Sequence, residues 1–441
     1  MIPELNRIYQ GDCWKKLDSF DSDFFDAVVC DPPYELGFMG KSWDSTGIAY
    51  NVRMWSEVRR VMKPGAHLLA FGGTRTYHRM ACAIEDADFE IRDQIQWIYG
   101  SGFPKSLDVS KAIDKAAGAE RKVVGERKRN GGPAGMTEDK GWHSGPMAHD
   151  DSKVRITEAT TEAAKQWEGW GTALKPANEP VCLARKPLSE PTVAANVLKW
   201  GTGALNIDGC RVPLDGEKKT SGGCAGKTAL HEGGISDRVA EDNTKGRWPA
   251  NVIHDGSEEV LNGFPYAPGQ YGKAKTDGTP KNNKIFGAMK HGTLNPVPRE
   301  DATKSAARFF YCAKTSRAER NAGCESMEGK KVSRMNTQNG SEEKGESWSP
   351  IDERTGKTRD RFASVQENNH PTVKPISLMA YLVRLVTPPR GIVLDPFLGS
   401  GSTAIAAIRE GHPWVGIELI ESHVAIAQAR IDAECKQIKL F

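Results

Sequence analysis

Two short stretches of this chain carry residue types that can do chemistry. The first is Asp31-Pro32-Pro33-Tyr34, at the end of the apolar run "FDAVVC". The second is "IVLDPFLGSGSTAIAAI", where a further apolar run leads into Asp395, Pro396, Phe397, Gly399, Gly401, Ser402 and Thr403. Proline cannot donate to a sheet ladder, so a strand through Val28 and Val29 must stop at Pro32. The prolines also hold the backbone extended, with its carbonyls free of partners. Asp31 then projects a carboxylate at the carboxyl edge of a sheet, and Tyr34 sets a flat ring beside it. The Asp31 carboxylate and the Pro32 carbonyl can each accept a hydrogen from an exocyclic amine while Tyr34 stacks on the attached ring. Such an amine is a poor nucleophile, because its lone pair is delocalised into the ring. Two acceptors that favour tetrahedral geometry turn the lone pair toward a methyl donor. Attack on a sulfonium methyl is an in-line displacement, so positioning does much of the work. The extra proton leaves after transfer, so a strong base is not obligatory. Taken alone, the four residues are also what an acidic turn with a surface tyrosine would show.

The glycine turn reads in three ways. A plain strand-to-helix turn needs Gly399 and Gly401 only for positive φ. A nicotinamide or flavin site would use the same turn, but no third glycine follows Gly401 at the dinucleotide spacing. A nucleoside with a cationic tail, such as S-adenosylmethionine, accommodates the remaining features. Asp395 just before the turn suits a positive or amino-bearing ligand better than a pyrophosphate. Glu418 ends the next predicted strand, "PWVGIEL", where a carboxylate can accept hydrogen bonds from both ribose hydroxyls.

The elements that must hold these residues follow from periodicity. "NRIYQGDC", "FDAVVCDPPY", "AHLLAFGG", "EIRDQIQWIYG" and "EPVCLARKPL" read as strands, and "YNVRMWSEVRRVMKPG" and "RTYHRMACAIEDADF" as helices. "ITEATTEAAKQW" is expected to be a helix. The α/β rhythm returns in the last seventy or so residues, with the amphipathic helix that follows "HPTVKP", the glycine turn, and the closing "ESHVAIAQARIDAECKQI". Alternating strands and helices predict a parallel sheet with helices on both faces. One sheet is expected from both ends of the chain. Its segments would be residues 1–115, 166–204 and 346–441, with a mobile basic and Gly-rich insertion at 116–165 and an irregular module with short strands at 205–345.

The composition fits such a chain. At 441 residues, with 45 Gly and 25 Pro, it has room for two domains or one with large insertions. No run reaches the length of a membrane span, and the start "MIPELNRIYQGDC" does not read as a signal peptide. Nine cysteines without a C-x-x-C pair read as reduced thiols in a cytoplasmic protein, with no metal expected. Cys30, Cys82 and Cys182 lie in apolar runs and are expected to be buried. A net charge of +3 does not announce a nucleic-acid partner, though a basic face can hide in a balanced total.

Together the two motifs resemble the amino-methyltransferases of DNA in their permuted, beta arrangement. There the Asp-Pro-Pro-Tyr motif precedes the Phe-x-Gly-x-Gly motif, with a target-recognition region between. Here Tyr34 precedes Phe397 by more than 360 residues. The resemblance implies a Rossmann-like methyltransferase fold, S-adenosylmethionine as cofactor and double-stranded DNA as partner. It implies that Asp12, in "GDC" with Cys13, holds the cofactor's adenine, and that Thr372 and Lys374 lie near its methionine carboxylate. "QWIYGSGFPKS" stands where the family contacts the target base, through Trp97 or Phe103, although Trp97 is equally readable as core. In this family Asp at the first motif position goes mostly with adenine N6, and Ser with cytosine N4.

Chemistry on a base in a duplex requires flipping it out, at a cost of a few kcal/mol. Arg121, Lys122, Arg127, Lys128 and Arg129, and then Lys273, Lys275, Lys281, Lys284 and Lys290, are candidates for contacting phosphates. Trp200, Trp248 and "RFFYC" are expected in the core of the inserted module. Readings that stay open are cytosine N4 as target, an RNA or protein amide as target, and a DNA-binding regulator with a vestigial pocket. A homodimer and a companion nuclease are left open too.

Overall fold

In the computed structural model of the chain, residues 1–36, 45–102, 106–128, 153–214, 245–267, 275–276, 281–283, 287–289, 294–295, 305–313, 317–324, 330–333, 362–366, 368, 370 and 373–438 are described. The sheet that positions the site has nine strands. In chain order they are β1 (Arg7–Gln10), β2 (Phe25–Cys30), β3 (Met62–Phe71), β4 (Glu90–Ile98), β5 (Asn178–Arg185), β6 (Val252–His254), β7 (Tyr311–Cys312), β8 (Val393–Asp395) and β9 (Trp414–Glu418). Across the sheet they run β1-β9-β8-β2-β3-β5-β4-β6-β7. The expectation that both ends of the chain build one sheet is met where β8 pairs with β2, Val393 beside Ala27 and Leu394 beside Val28.

β2 is an apolar run rather than an alternating one because both its faces are covered: all six residues are buried. Ala27 and Val29 pack on one side with helices α5 (Ile376–Val386) and α6 (Ser402–Arg409). Val28 and Cys30 pack on the other side with α1 (Cys13–Ser19), α2 (Val52–Val61) and α3 (Tyr77–Asp86). α2 starts where Asn51 Oδ1 accepts from the amides of Arg53 and Met54. Its residues Met54, Trp55, Val58 and Val61 recur at helical spacing and are buried. Each such burial is worth about 1.5–3 kcal/mol. α4 (Val193–Trp200) lies against β3, and α7 (Glu421–Ile438) closes the chain.

Several expectations need correction. The sheet is not wholly parallel: β5 runs antiparallel to both β3 and β4 and sits between them. "ITEATTEAAKQW" is not one helix. Its start belongs to the strand Lys153–Glu158, which pairs with Lys122–Lys128 in an antiparallel hairpin, and a Thr161-capped helix covers only Glu162–Gln166. Two short strands of the stretch 205–345, β6 and β7, lengthen the sheet beyond β4. Cys30 and Cys182 are buried, but Cys82 is exposed on the outer face of α3. Trp248 is 60% exposed, with the Arg211 guanidinium over its ring.

Arg121 is no surface cation. Its guanidinium meets Asp114 at 2.7 Å and also reaches Ser110 and Thr157. Asp114 in turn accepts from Thr160 and Thr161, so this pair ties the helix Val109–Ala116 to the one that begins at Glu162. Lys122 of the first basic group is exposed. The side chains of Arg127, Lys128, Lys275 and Lys281, and all of Arg129, Lys273, Lys284 and Lys290, lie outside the described residues, as do Phe103 and Thr372. No described helix is long and apolar enough to cross a membrane.

Candidate active site

The carboxyl ends of the parallel strands converge on one edge of the sheet, which is where an open α/β sheet binds ligands. Asp31 follows β2, Asp395 ends β8, Glu418 ends β9, and Tyr99 follows β4. Because β5 is reversed, its first turn of chain lies at this same edge and brings Glu179 among them. These residues line one cleft of about 1220 Å³. That is more than one small ligand fills, and enough for two side by side.

At one end of the cleft is the Asp-Pro-Pro-Tyr motif. Lys374, two residues before α5, places its ammonium 2.7 Å from Asp31 Oδ2, 3.0 Å from the Tyr34 hydroxyl and 3.2 Å from Glu179 Oε2. The Tyr34 hydroxyl donates to Glu179 Oε2 at 2.9 Å. Asp31 Oδ1 is buried and has no hydrogen-bond partner among the described residues. An orphaned carboxylate oxygen is costly unless a ligand supplies the donor. Burial pushes the Asp31 pKa up, Lys374 opposes this, and Glu179 adds to it. The same burial, with Asp31 and Glu179 near, holds the Tyr34 phenol neutral.

At the other end is the glycine turn. Gly399 has φ +54° and Gly401 φ +82°, and a Cβ on Gly399 would lie 2.9 Å from His370 Nε2. Only glycine meets both demands at position 399. Glu418 straps the turn: Oε2 accepts from the Gly399 amide at 2.8 Å and Oε1 from Ile420 at 2.9 Å. Oε1 also faces His423 Nδ1 at 3.5 Å, and Oε2 keeps a lone pair for a further donor. Asp395 accepts from the Phe397 amide and from Thr403, and has no ion pair among the described residues. Burial, with Asp31 and Glu418 nearby, raises its pKa to about 7. Asp12 caps α1 through Lys15 N and lines this end beside Cys13, whose thiol burial pushes up to about 12. Pro396, Phe397, Ser402 and Thr403 line the cleft, and Gly401 caps α6. A buried Asp395 with no ion pair among the described residues, beside a turn with no room for side chains, suits a cationic nucleoside, so these residues fit the group that the motif resemblance implies.

Arg430 of α7 supports the turn from below. It is buried and donates to the Ser400 carbonyl at 2.5 Å, to the Ser400 hydroxyl at 3.0 Å and to Ser402 at 3.3 Å. Burial pulls its pKa down to about 10. Arg430→Met is expected to cost roughly 1–3 kcal/mol by leaving the Ser400 carbonyl unpaired, read as a lower midpoint in urea denaturation.

The structure moves some predicted roles. Lys374 meets Asp31, Tyr34 and Glu179, because two partly buried carboxylates compete for its charge. Trp97 is core, with its ring 5.0 Å from that of Tyr99, which lines the cleft. Glu179, Tyr99 and Arg430 went unnoticed in the sequence. An acid opening a strand, as in "NEPVCLAR", is a signal only once that strand is known to run backwards.

Comparison with known proteins gives the family. The profile of the N6_N4_Mtase family, described as DNA methylase, matches residues 25–118 and 270–429. The chain belongs to this family of DNA methylases. YubD of Escherichia coli (strain K12), which carries the name of a methylase, is 46% identical over 65 residues, 15% of this chain and 29% of that protein. DNA adenine methyltransferase YhdJ of the same organism is 36% identical over 74 residues, 17% of this chain and 25% of its own length. The chain thus spans less than a third of either of these curated relatives. The solved structure of PvuII DNA methyltransferase (cytosine-N4-specific) aligns over 99% of this chain and 94% of its own, with 13% identity and a TM-score of 0.40.

Proposed function

We propose that this protein is a site-specific DNA methyltransferase that moves a methyl group from S-adenosylmethionine to the exocyclic N6 of an adenine flipped out of duplex DNA. The observation that carries the reading is the unpartnered Asp31 Oδ1, buried in a cleft that continues to the Gly399 turn. S-adenosylmethionine, when bound, supplies a methyl group on a sulfonium. Glu418 would accept from ribose hydroxyls, Asp12 would hold the cofactor's adenine, and Asp395 would face its cationic part. Asp31 Oδ1 would accept one hydrogen of the target amine, and the Pro32 carbonyl the other. Tyr34 would stack on the target base, which returns about 1–3 kcal/mol of the cost of flipping. The target sequence would be read by residues 205–345. Adenine rather than cytosine rests on Asp31 at the first motif position.

Sequencing of DNA from cells expressing the protein, by a method that distinguishes modified bases, tests the reading. N6-methyladenine in one sequence context is expected. N4-methylcytosine would transfer the mechanism to the other base, and unmodified DNA with intact cofactor binding would make the protein a regulator instead.

Asp395 adds a pH dependence. Below about pH 7 its carboxyl is largely protonated in the unliganded cleft. A cationic ligand favours the ionised form, so binding must displace a proton there. Affinity for S-adenosylmethionine is expected to rise with pH up to about 7 and then level off. Calorimetry in buffers of different ionisation enthalpy should register proton release at pH 6 and little at pH 8. Asp395→Asn should flatten the profile.

A further inference from the structure

The Asp31 end of the cleft contains more than the motif predicts. One ammonium, Lys374, sits among two carboxylates and a phenol, and only 7% of its side chain is exposed. Its three N–H donors match three acceptors within 3.2 Å: Asp31 Oδ2, the Tyr34 hydroxyl and Glu179 Oε2. Its charge also lies 4.9 Å from the centre of the Phe71 ring and 5.3 Å from that of Tyr34. Glu179 Oε2 takes the Tyr34 hydroxyl as well. Three segments distant in sequence, around residues 31–34, 179 and 374, therefore close one hydrogen-bonded ring.

That ring has two geometric effects. Asp31 Oδ2 already accepts from Lys374, so Oδ1, with no partner among the described residues, is the oxygen left to meet a donor from the cleft. The Tyr34 ring is tethered at its hydroxyl, so its plane is fixed relative to Asp31. An acceptor and a stacking surface held in one rigid frame are what an oriented amine needs. The charges matter too: two carboxylates share one ammonium, which leaves one net negative charge.

We propose that Glu179 and Lys374 are positioning residues that aim Asp31 Oδ1 and set the plane of Tyr34, and that the negative charge left over by their pairing helps draw off the proton of the methylated amine. The inference rests on the methyl-transfer reading above. In the step, the amine nitrogen forms a bond to the methyl carbon, and the carbon–sulfur bond breaks with its electron pair left on sulfur. The surplus N–H proton passes to Asp31 Oδ1, which brings the cluster of Asp31, Glu179 and Lys374 to neutrality, and from there to solvent. The groups whose charge bears on Asp31 are Lys374, Glu179 and Tyr34, with Asp395 and Cys30 behind it; Tyr99 faces Glu179.

The test is the pH profile of single-turnover methyl transfer at saturating cofactor. Glu179→Gln keeps an acceptor for Lys374 and Tyr34 but removes a like charge near Asp31. Its acidic limb is expected to move to lower pH, with the rate reduced ten-fold or more. Lys374→Met removes the opposite charge, so its acidic limb should move to higher pH, with a larger loss that Lys374→Arg partly restores. Cofactor affinity by calorimetry should stay within a few-fold in all three. Limbs that stay put, or that move the same way in both variants, would overturn the proposal, as would a loss confined to cofactor binding. If Lys374→Met does not fold, the Glu179→Gln profile decides alone. Absence of transfer by the unmodified protein would instead reject the underlying reading.

Discussion

Asp31→Ala is expected to lower methyl transfer by roughly 10²–10³-fold or more, the loss that follows removal of one preorganised group aimed at the reacting centre. Cofactor affinity should change little, because the cofactor is assigned to Glu418, Asp12 and the glycine turn rather than to Asp31. The fold should survive, since Lys374 keeps Glu179 and Tyr34 as partners. Asp31→Asn is the sharper comparison. It preserves shape but replaces one acceptor with a donor, and the amide can turn its NH₂ toward the incoming amine. Rapid-quench kinetics with labelled cofactor, alongside calorimetry, separates the two effects. Undiminished turnover in either variant would remove Asp31 from the mechanism.

Glu418→Ala should act on the opposite parameter. The carboxylate holds the amides of Gly399 and Ile420 and, in our assignment, accepts from the ribose. Hydrogen bonds to a charged acceptor are worth about 1.5–3 kcal/mol each. The expected result is a loss of about 10²-fold in S-adenosylmethionine affinity, with the transfer rate at saturation much less affected. Glu418→Gln retains one acceptor oxygen and should recover part of the loss. Equal affinity in the alanine variant would mean that the ribose is held elsewhere.

The sequence made the two ends of the cleft legible for different reasons. Asp31-Pro32-Pro33-Tyr34 is local: proline chemistry ends the strand, and the side chains that follow must stand at its edge. The glycine turn is local as well, since positive φ at residues 399 and 401 is a demand of the backbone itself. Glu179 is different. Its role depends on the direction of β5, and strand direction is set by the long chain path between residues 98 and 178, which carries no periodic signal of it. Arg430 stayed hidden because a basic residue in a closing helix ordinarily faces water. Only the packing of α7 over the turn turns it inward. Lys374 was noticed, but its pairing with Asp31 and Glu179 was not, because sequence cannot tell which of several acids will lie nearest.

The pairing of β2 with β8 has a consequence for biosynthesis. Val28 emerges from the ribosome some 365 residues before Leu394, its neighbour in the sheet. At ~5–20 residues per second, the nascent chain keeps that edge of β2 unmet for roughly 20–70 s. An apolar strand with open amides and carbonyls is a template for pairing with other chains. Slow translation or truncation before residue 393 should therefore yield insoluble chains that depend on chaperones, whereas the completed polypeptide closes the gap within itself.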